Sequence, residues 1–120
     1  MEVRVRFIRS KTELLEAANL IGKVIKATPY YGPRTKREEI RKYNRRNILS
    51  SGKKFIGAFS GKVLVGVTMV APDEGTLWVD WRLVEKPYRR KGMATKMFRF
   101  TEAFARKKGI HKIWEDKRTN

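Results

Sequence analysis

Apolar and charged residues alternate at the start of the chain: Val3, Val5 and Phe7 lie between Glu2, Arg4 and Arg6, the period of a half-buried strand. The period then lengthens. Ser10-Lys-Thr-Glu13 is a capping box, and Leu14, Ala18, Ile21 and Ile25 mark one face of the helix it opens. Pro29-Tyr-Tyr-Gly-Pro33 predicts a loop, and a second capping box, Thr35-Lys-Arg-Glu38, predicts a helix to about Leu49. That helix has a thin apolar face of Ile40, Tyr43 and Ile48. Phe55 to Phe59, a Ser60-Gly61 turn and Val63 to Val70 predict a hairpin. After a turn at Pro72-Asp-Glu-Gly75, Thr76 to Val84 continues the meander. Strict alternation puts Leu77, Val79, Trp81 and Leu83 on one face and Trp78, Asp80, Arg82 and Val84 on the other. A basic loop, Glu85 to Lys91, leads to a helix from about Met93 to Lys108 with Met93, Met97, Phe100 and Phe104 inward. Gly109 stops it, and Ile110 to Glu115 forms a last strand. The order is β-α-α-β-β-β-α-β, an α/β chain of the α+β type: one domain over residues 1–120, with a mixed sheet and helices packed on it.

Composition narrows the chemistry. With no cysteine, disulfides and thiolate metal sites are excluded, and one histidine, His111, leaves no His cluster; no metal site is expected. The 29 Lys+Arg against 12 Asp+Glu give a net charge of +17, which attracts polyanions. The first ten residues lack a signal peptide's apolar run, and the longest mostly apolar stretch, Val63 to Ala71, is too short to span a membrane. A cytoplasmic protein is expected. The absence of glutamine, with abundant Lys, Arg and Glu, is a thermophile-like composition.

The informative stretch is strand, then Arg89-Arg-Lys-Gly-Met-Ala94, then helix. Small residues at Gly92 and Ala94 let backbone N–H groups approach a ligand where unpaired donors and the helix dipole favour an anion such as a pyrophosphate. Arg89, Arg90 and Lys91 add positive charge. A tight turn with a solvated basic run has the same residues. No Walker loop is present, since Gly61-Lys62 sits in the hairpin turn.

Arg89-x-x-Gly92-x-Ala94 resembles the Q/R-x-x-G-x-G/A signature of the GNAT superfamily of acetyl-CoA-dependent N-acetyltransferases. The flanks agree. Val84-Glu-Lys-Pro-Tyr-Arg89 resembles the lead into that family's loop, Phe55 to Gly66 its preceding hairpin, and Arg106-Lys-Lys-Gly-Ile110 its helix-to-strand link. The resemblance covers residues 54–120 well and residues 1–49 only in element order. It implies a GNAT-like fold with acetyl-CoA as cosubstrate, and transfer of the acetyl group to a primary amine of a protein or small molecule. It further implies that Leu83 and Val84 pair with the pantetheine arm. The amides from Arg90 through Lys91, Gly92, Met93 and Ala94 to Thr95 would hold the pyrophosphate, and Asn120 begins the family's next motif. Where many members carry a fourth-strand carboxylate this chain has Trp78, with Asp80 two residues on. Ile113 to Asn120 resembles the ribosomal-protein alanine N-acetyltransferases, and Glu115 falls on their catalytic glutamate. Asp80 and Glu115 are thus both candidate bases, although Asp80 could instead pair with a neighbouring arginine and Glu115 could be an exposed strand carboxylate.

Family members continue past this asparagine with a helix and further strands, so the resemblance implies a fold lacking its C-terminal part. A homodimer is one way of completing such a sheet. Arg34 to Lys54 carries nine cations and two acids, suiting an acidic or nucleic-acid-associated acceptor or a solvated helix face. Tyr30 and Tyr31 would line the acceptor site or pack within their loop. Trp78, Trp81 and Trp114 are expected in the core, and Tyr88 either stacks on a nucleotide or anchors the turn. Two other readings are a nucleic-acid-binding module without catalysis and a GNAT-like protein that binds CoA without transfer.

Overall fold

A computed structural model describes residues 3–27, 32, 34, 36–38 and 54–115. Strand β1 (Val3–Phe7) leads into helix α1 (Lys11–Ala27). Strands β2 (Lys54–Ser60), β3 (Val63–Asp73) and β4 (Thr76–Val84) form the expected meander. Helix α2 (Met93–Lys107) and strand β5 (Lys112–Glu115) follow. Among the described residues the sheet has five strands in the order β1-β2-β3-β4-β5, antiparallel except for the parallel β4–β5 pair. The mixed, helix-flanked sheet is the one the periodicities predict. Arg34, Lys36, Arg37 and Glu38 are helical, as expected near there. Tyr30, Tyr31, the rest of the predicted second helix and Asn120 lie outside the described residues.

Each face of the sheet has its own core. Ala17, Ile21 and Ile25 of α1 pack on Phe55, Phe59, Leu64, Val67, Met69 and Leu83. On the other face, Met93, Met97, Phe104 and Ala105 of α2 pack on Ile56, Ala58, Val65, Val70, Leu77, Val79 and Val84. Met97 passes so close over Gly66 that a Cβ there would sit 3.3 Å from its methyl group and 3.1 Å from the Leu83 carbonyl oxygen.

Alternation fails in β4, with consequences for the site. Thr68 and Met69 are neighbours in β3, yet they pair with Arg82 and Asp80, so Trp81 is an extra residue in a β-bulge. The bulge reverses the faces downstream. Leu77 and Val79 lie under α2 as a pair, but Leu83 moves to the α1 side and Val84 to the α2 side. The single-face grouping expected from the sequence is therefore corrected at Leu83, and that of Trp78 and Asp80 with Val84 likewise. Two tryptophans expected in the core are also corrected: Trp78 is 41% and Trp114 47% exposed.

The end of α2 explains why β5 starts two residues later than expected. Gly109 adopts φ +71°. Its N–H donates to the Arg106 carbonyl, and the Ile110 N–H donates to that of Ala105 at 2.9 Å. This is a Schellman cap, so Ile110 belongs to the helix terminus and packs against the α2-side core.

Candidate active site

The site is built where β4 hands over to α2. The Glu85 N–H donates to the Val65 carbonyl at 2.8 Å, so Glu85 faces β3. Successive residues of a strand present their peptide groups to opposite sides, so those of Val84 face the other edge. There β5 pairs only with Thr76 to Val79. Among the described residues, β4 from Asp80 to Val84 has a partner on one side alone.

A single 3-10 turn, Lys86–Tyr88, carries the chain away from the sheet. Arg89 then reaches back, donating from Nε to the Val84 carbonyl at 2.8 Å. Its side chain thus shapes the loop rather than supplying the mobile charge the sequence suggests. Arg90 (φ +61°) and Gly92 (φ +80°) both take the left-handed region, which folds the loop tightly under the start of α2. Gly92 is the N-cap; no side chain caps the helix and no acid occupies its first turn. The first bond across the Gly92 position runs from the Lys96 N–H to the Gly92 carbonyl at 3.0 Å, so the amides of Met93, Ala94 and Thr95 precede the helical ladder. A pocket of about 350 Å³ opens over them, lined also by Val84, Tyr88, Arg89 and Arg90. Of the residues expected at a phosphate, Lys91 lies outside this lining. The side chain of Leu83 is buried in the α1-side core.

The two candidate carboxylates lie on opposite faces of the sheet. Glu115 is in register with Val79 and therefore on the α2 side, where its Oε1 is 2.9 Å from Nη2 of Arg82. The contact is ionic without hydrogen-bond alignment, since Arg82 Nε and Glu115 Oε1 are buried with no hydrogen-bond partner. The Arg82 guanidinium also lies over the Phe98 ring, 5.7 Å from its centroid. Asp80 faces the α1 side. It lines a pocket of about 190 Å³ with Met69, Ala71, Trp78 and Trp114, and it has an interaction partner within the chain. The two indole rings meet at 4.9 Å between centroids, tilted by 49°. Sequence reasoning missed both the Arg82–Glu115 pair and the tryptophan pair, because each joins β4 to β5 and depends on a register that no local pattern encodes. Among the described residues no three His, Cys, Asp or Glu side chains are grouped to hold a metal ion, and no helix is long and apolar enough to cross a membrane.

A mixed sheet leading into a helix start that no side chain caps offers backbone donors to an anion between strand and helix. The sequence profile of the Acetyltransferase (GNAT) family matches residues 23–120, and the chain belongs to that family. The PaiA N-acetyltransferase of Thermoplasma acidophilum, solved in complex with coenzyme A, superposes with a TM-score of 0.80 at 21% identity over 92% of this chain and 76% of that one. A ribosomal-protein-alanine N-acetyltransferase from Brucella melitensis biovar Abortus 2308 gives 0.72 at 17% identity over 100% and 82%. An aminoglycoside N-acetyltransferase in complex with CoA gives 0.67 at 14% over 97% and 77%. Among curated protein sequences none matches. The expected family and fold are both borne out.

Proposed function

We propose that the chain transfers an acetyl group from acetyl-CoA to a primary amine. The observation that carries this reading is the start of α2: among the described residues nothing accepts from the backbone N–H groups of Met93, Ala94 and Thr95, and the neighbouring edge of β4 has no partner strand. A pyrophosphate on those amides receives hydrogen bonds and the positive end of the helix dipole together, with the charges of Arg90 and Lys91 close by in the loop. The pantetheine arm then runs along β4. Its amide groups meet the outward N–H of Val84, whose carbonyl Arg89 already occupies. Leu83 turns its carbonyl toward Gly66 of β3 and serves by packing.

Val84 and Asp80 pair with Gly66 and Met69, three steps apart on β3 and so about 10 Å, which carries an arm held at the loop toward the pocket of Asp80, Trp78 and Trp114. There the amine must lose a proton before its lone pair can attack the thioester carbon. Asp80 is the carboxylate we assign to that proton, directly or through water. Glu115, joined to Arg82 on the opposite face, fastens β4 to β5 at their last described pair. A backbone N–H of the β4 edge polarises the thioester carbonyl, and the thiolate leaves with a proton from the medium.

The test is direct. Acetyl-CoA should raise the Tm of the folded chain and, with an amine present, release thiol in step with acetylated product. A folded chain whose Tm is indifferent to millimolar acetyl-CoA would overturn the reading. Displacement of bound nucleic acid by salt alone, with no effect of CoA, would favour the nucleic-acid module instead.

A further inference from the structure

We infer that a groove beside the last turn of α2 binds a small carboxylate with an apolar body. The body lies on Phe7, Phe100 and Phe104, and the charge sits among Lys54, Lys107 and Lys108. The inference goes beyond the acetyltransferase reading and does not depend on it. After α2 the chain turns at Gly109 toward β5, at one side of the sheet, while β1 and β2 lie at the other. Over the end of β1 and the start of β2 a groove of about 460 Å³ opens, a size typical of small-molecule sites. Its floor is aromatic. The Phe7 ring meets those of Phe100 and Phe104 edge to face, each at 5.1 Å between centroids. Phe104 is buried and the other two are half-buried, so packing already holds this apolar surface in place.

Strand and helix each bring charge to it. Lys54 lies two residues before Ile56 and shares its face, the one under α2, where Val70 and Phe7 are also apolar neighbours. Its ammonium stands over the floor, 5.5 Å from the centroids of both Phe7 and Phe104. Lys107 and Lys108 add two more cations at the end of α2. A lysine near a helix end often bonds the last carbonyls, as Lys36 Nζ bonds the Lys26 carbonyl of α1 at 3.0 Å. In α2 backbone donors take that role: Phe104 and Ala105 accept from the Lys108 N–H, and Arg106 accepts from that of Gly109. Among the described residues no carboxylate is ion-paired with Lys54, Lys107 or Lys108. Three ammonium groups gathered on one groove repel, and an anion between them relieves that repulsion. A bare anion leaves the rings wet, and a neutral aromatic leaves the charges unmatched. A carboxylate on a phenyl or short alkyl body meets both.

That group occurs in a free acid and at the C-terminus of a peptide, so both are probed. 3-Phenylpropionate and N-acetyl-glycyl-phenylalanine are titrated against the chain, with 3-phenylpropionamide and acetate as controls. One of the first two should bind at least about tenfold tighter than either control, and the tighter identifies the source. Ala103 is exposed on the groove wall, four residues before Lys107. Ala103→Glu sets a carboxylate at the spacing that pairs with that lysine, so it should weaken the ligand about tenfold without cost to folding. Lys107→Gln combined with Lys108→Gln should weaken it about as much and reduce its dependence on salt. Both variants leave the start of α2 intact, so any Tm shift with acetyl-CoA should persist in them. Several results overturn the inference: equal affinity for the amide or for acetate, binding unmoved by Ala103→Glu, or no binding of either carboxylate at about 10 mM. Displacement by coenzyme A overturns it too, since the ligand would then sit at the other end of α2.

Discussion

Two long helices of this molecule begin in opposite ways. Helix α1 supplies its own anion: Ser10 Oγ accepts from the Glu13 N–H at 3.1 Å, and the Glu13 carboxylate accepts from the Arg9 N–H at 3.2 Å and from Arg6 at 2.5 Å. The Arg6 guanidinium, then the Arg9 amide, hold Glu13 down to about 2. Helix α2 has no such group in its first turn, and its cap is a left-handed glycine with no side chain to offer. A helix start costs stability when its donors are unsatisfied, so α2 gives up what α1 secures. The difference agrees with the proposed role of α2 as the terminus whose anion comes from outside.

The largest expected effect comes from filling the open terminus. Acetyl-CoA at about a hundred times its Kd should stabilise the native chain by roughly 2.7 kcal/mol. Gly92→Glu should remove that shift, since it sets charge and bulk where the phosphate sits and forces a side chain into φ +80°; a thermal shift that survives would break the comparison. Next comes the closed terminus. Glu13→Gln should cost about 1 kcal/mol by chemical denaturation and leave the acetyl-CoA shift untouched. The pH dependence has a definite sign: Glu13 is held below its ordinary 4.5, so its contribution is fully present above 4.5 and is lost as pH falls toward 2. In Glu13→Gln that portion of the acid loss should vanish, and an unchanged acid profile would show that Glu13 contributes nothing.

A smaller effect tests whether the two starts can be exchanged. Thr95 occupies in α2 the position Glu13 occupies in α1, three residues past the cap. Thr95→Glu should therefore raise the stability of the free protein by about 0.5 kcal/mol and weaken acetyl-CoA binding, opposite signs from one substitution. Arg90→Gly is expected to change least. Relief of the left-handed arginine, worth roughly 1 kcal/mol, is offset by glycine's entropy, so denaturation should move by a few tenths while acetyl-CoA affinity drops with the lost charge.

What was legible in the sequence follows the same division between backbone and side chain. The α2 start was legible because a backbone site needs small residues at fixed spacing, and Gly92 and Ala94 show that spacing directly. The sheet order was legible from period alone, and Gly109 marked the helix end. The pocket of Trp78, Asp80 and Trp114 was not, since it needs the parallel register of β4 with β5 and an extra residue at Trp81. A bulge changes which face a side chain occupies without changing residue type. The consecutive buried pair Leu83-Val84 is its trace in the chain. Glu115 was identified as a carboxylate of interest, but its tie to Arg82 depends on that same reversal of faces.

The half-open edge of β4 also has a dynamic signature. Up to Val79 the strand is bonded on both sides, so successive amides are sheltered alternately by β3 and β5. Beyond it β3 is its one partner among the described residues, so the Val84 amide, which faces the other edge, should exchange its hydrogen faster than the Glu85 amide, which is bonded to β3. One continuous strand thus carries two protection regimes. A ligand that bonds along the second half would act as a further strand and make the pattern uniform throughout.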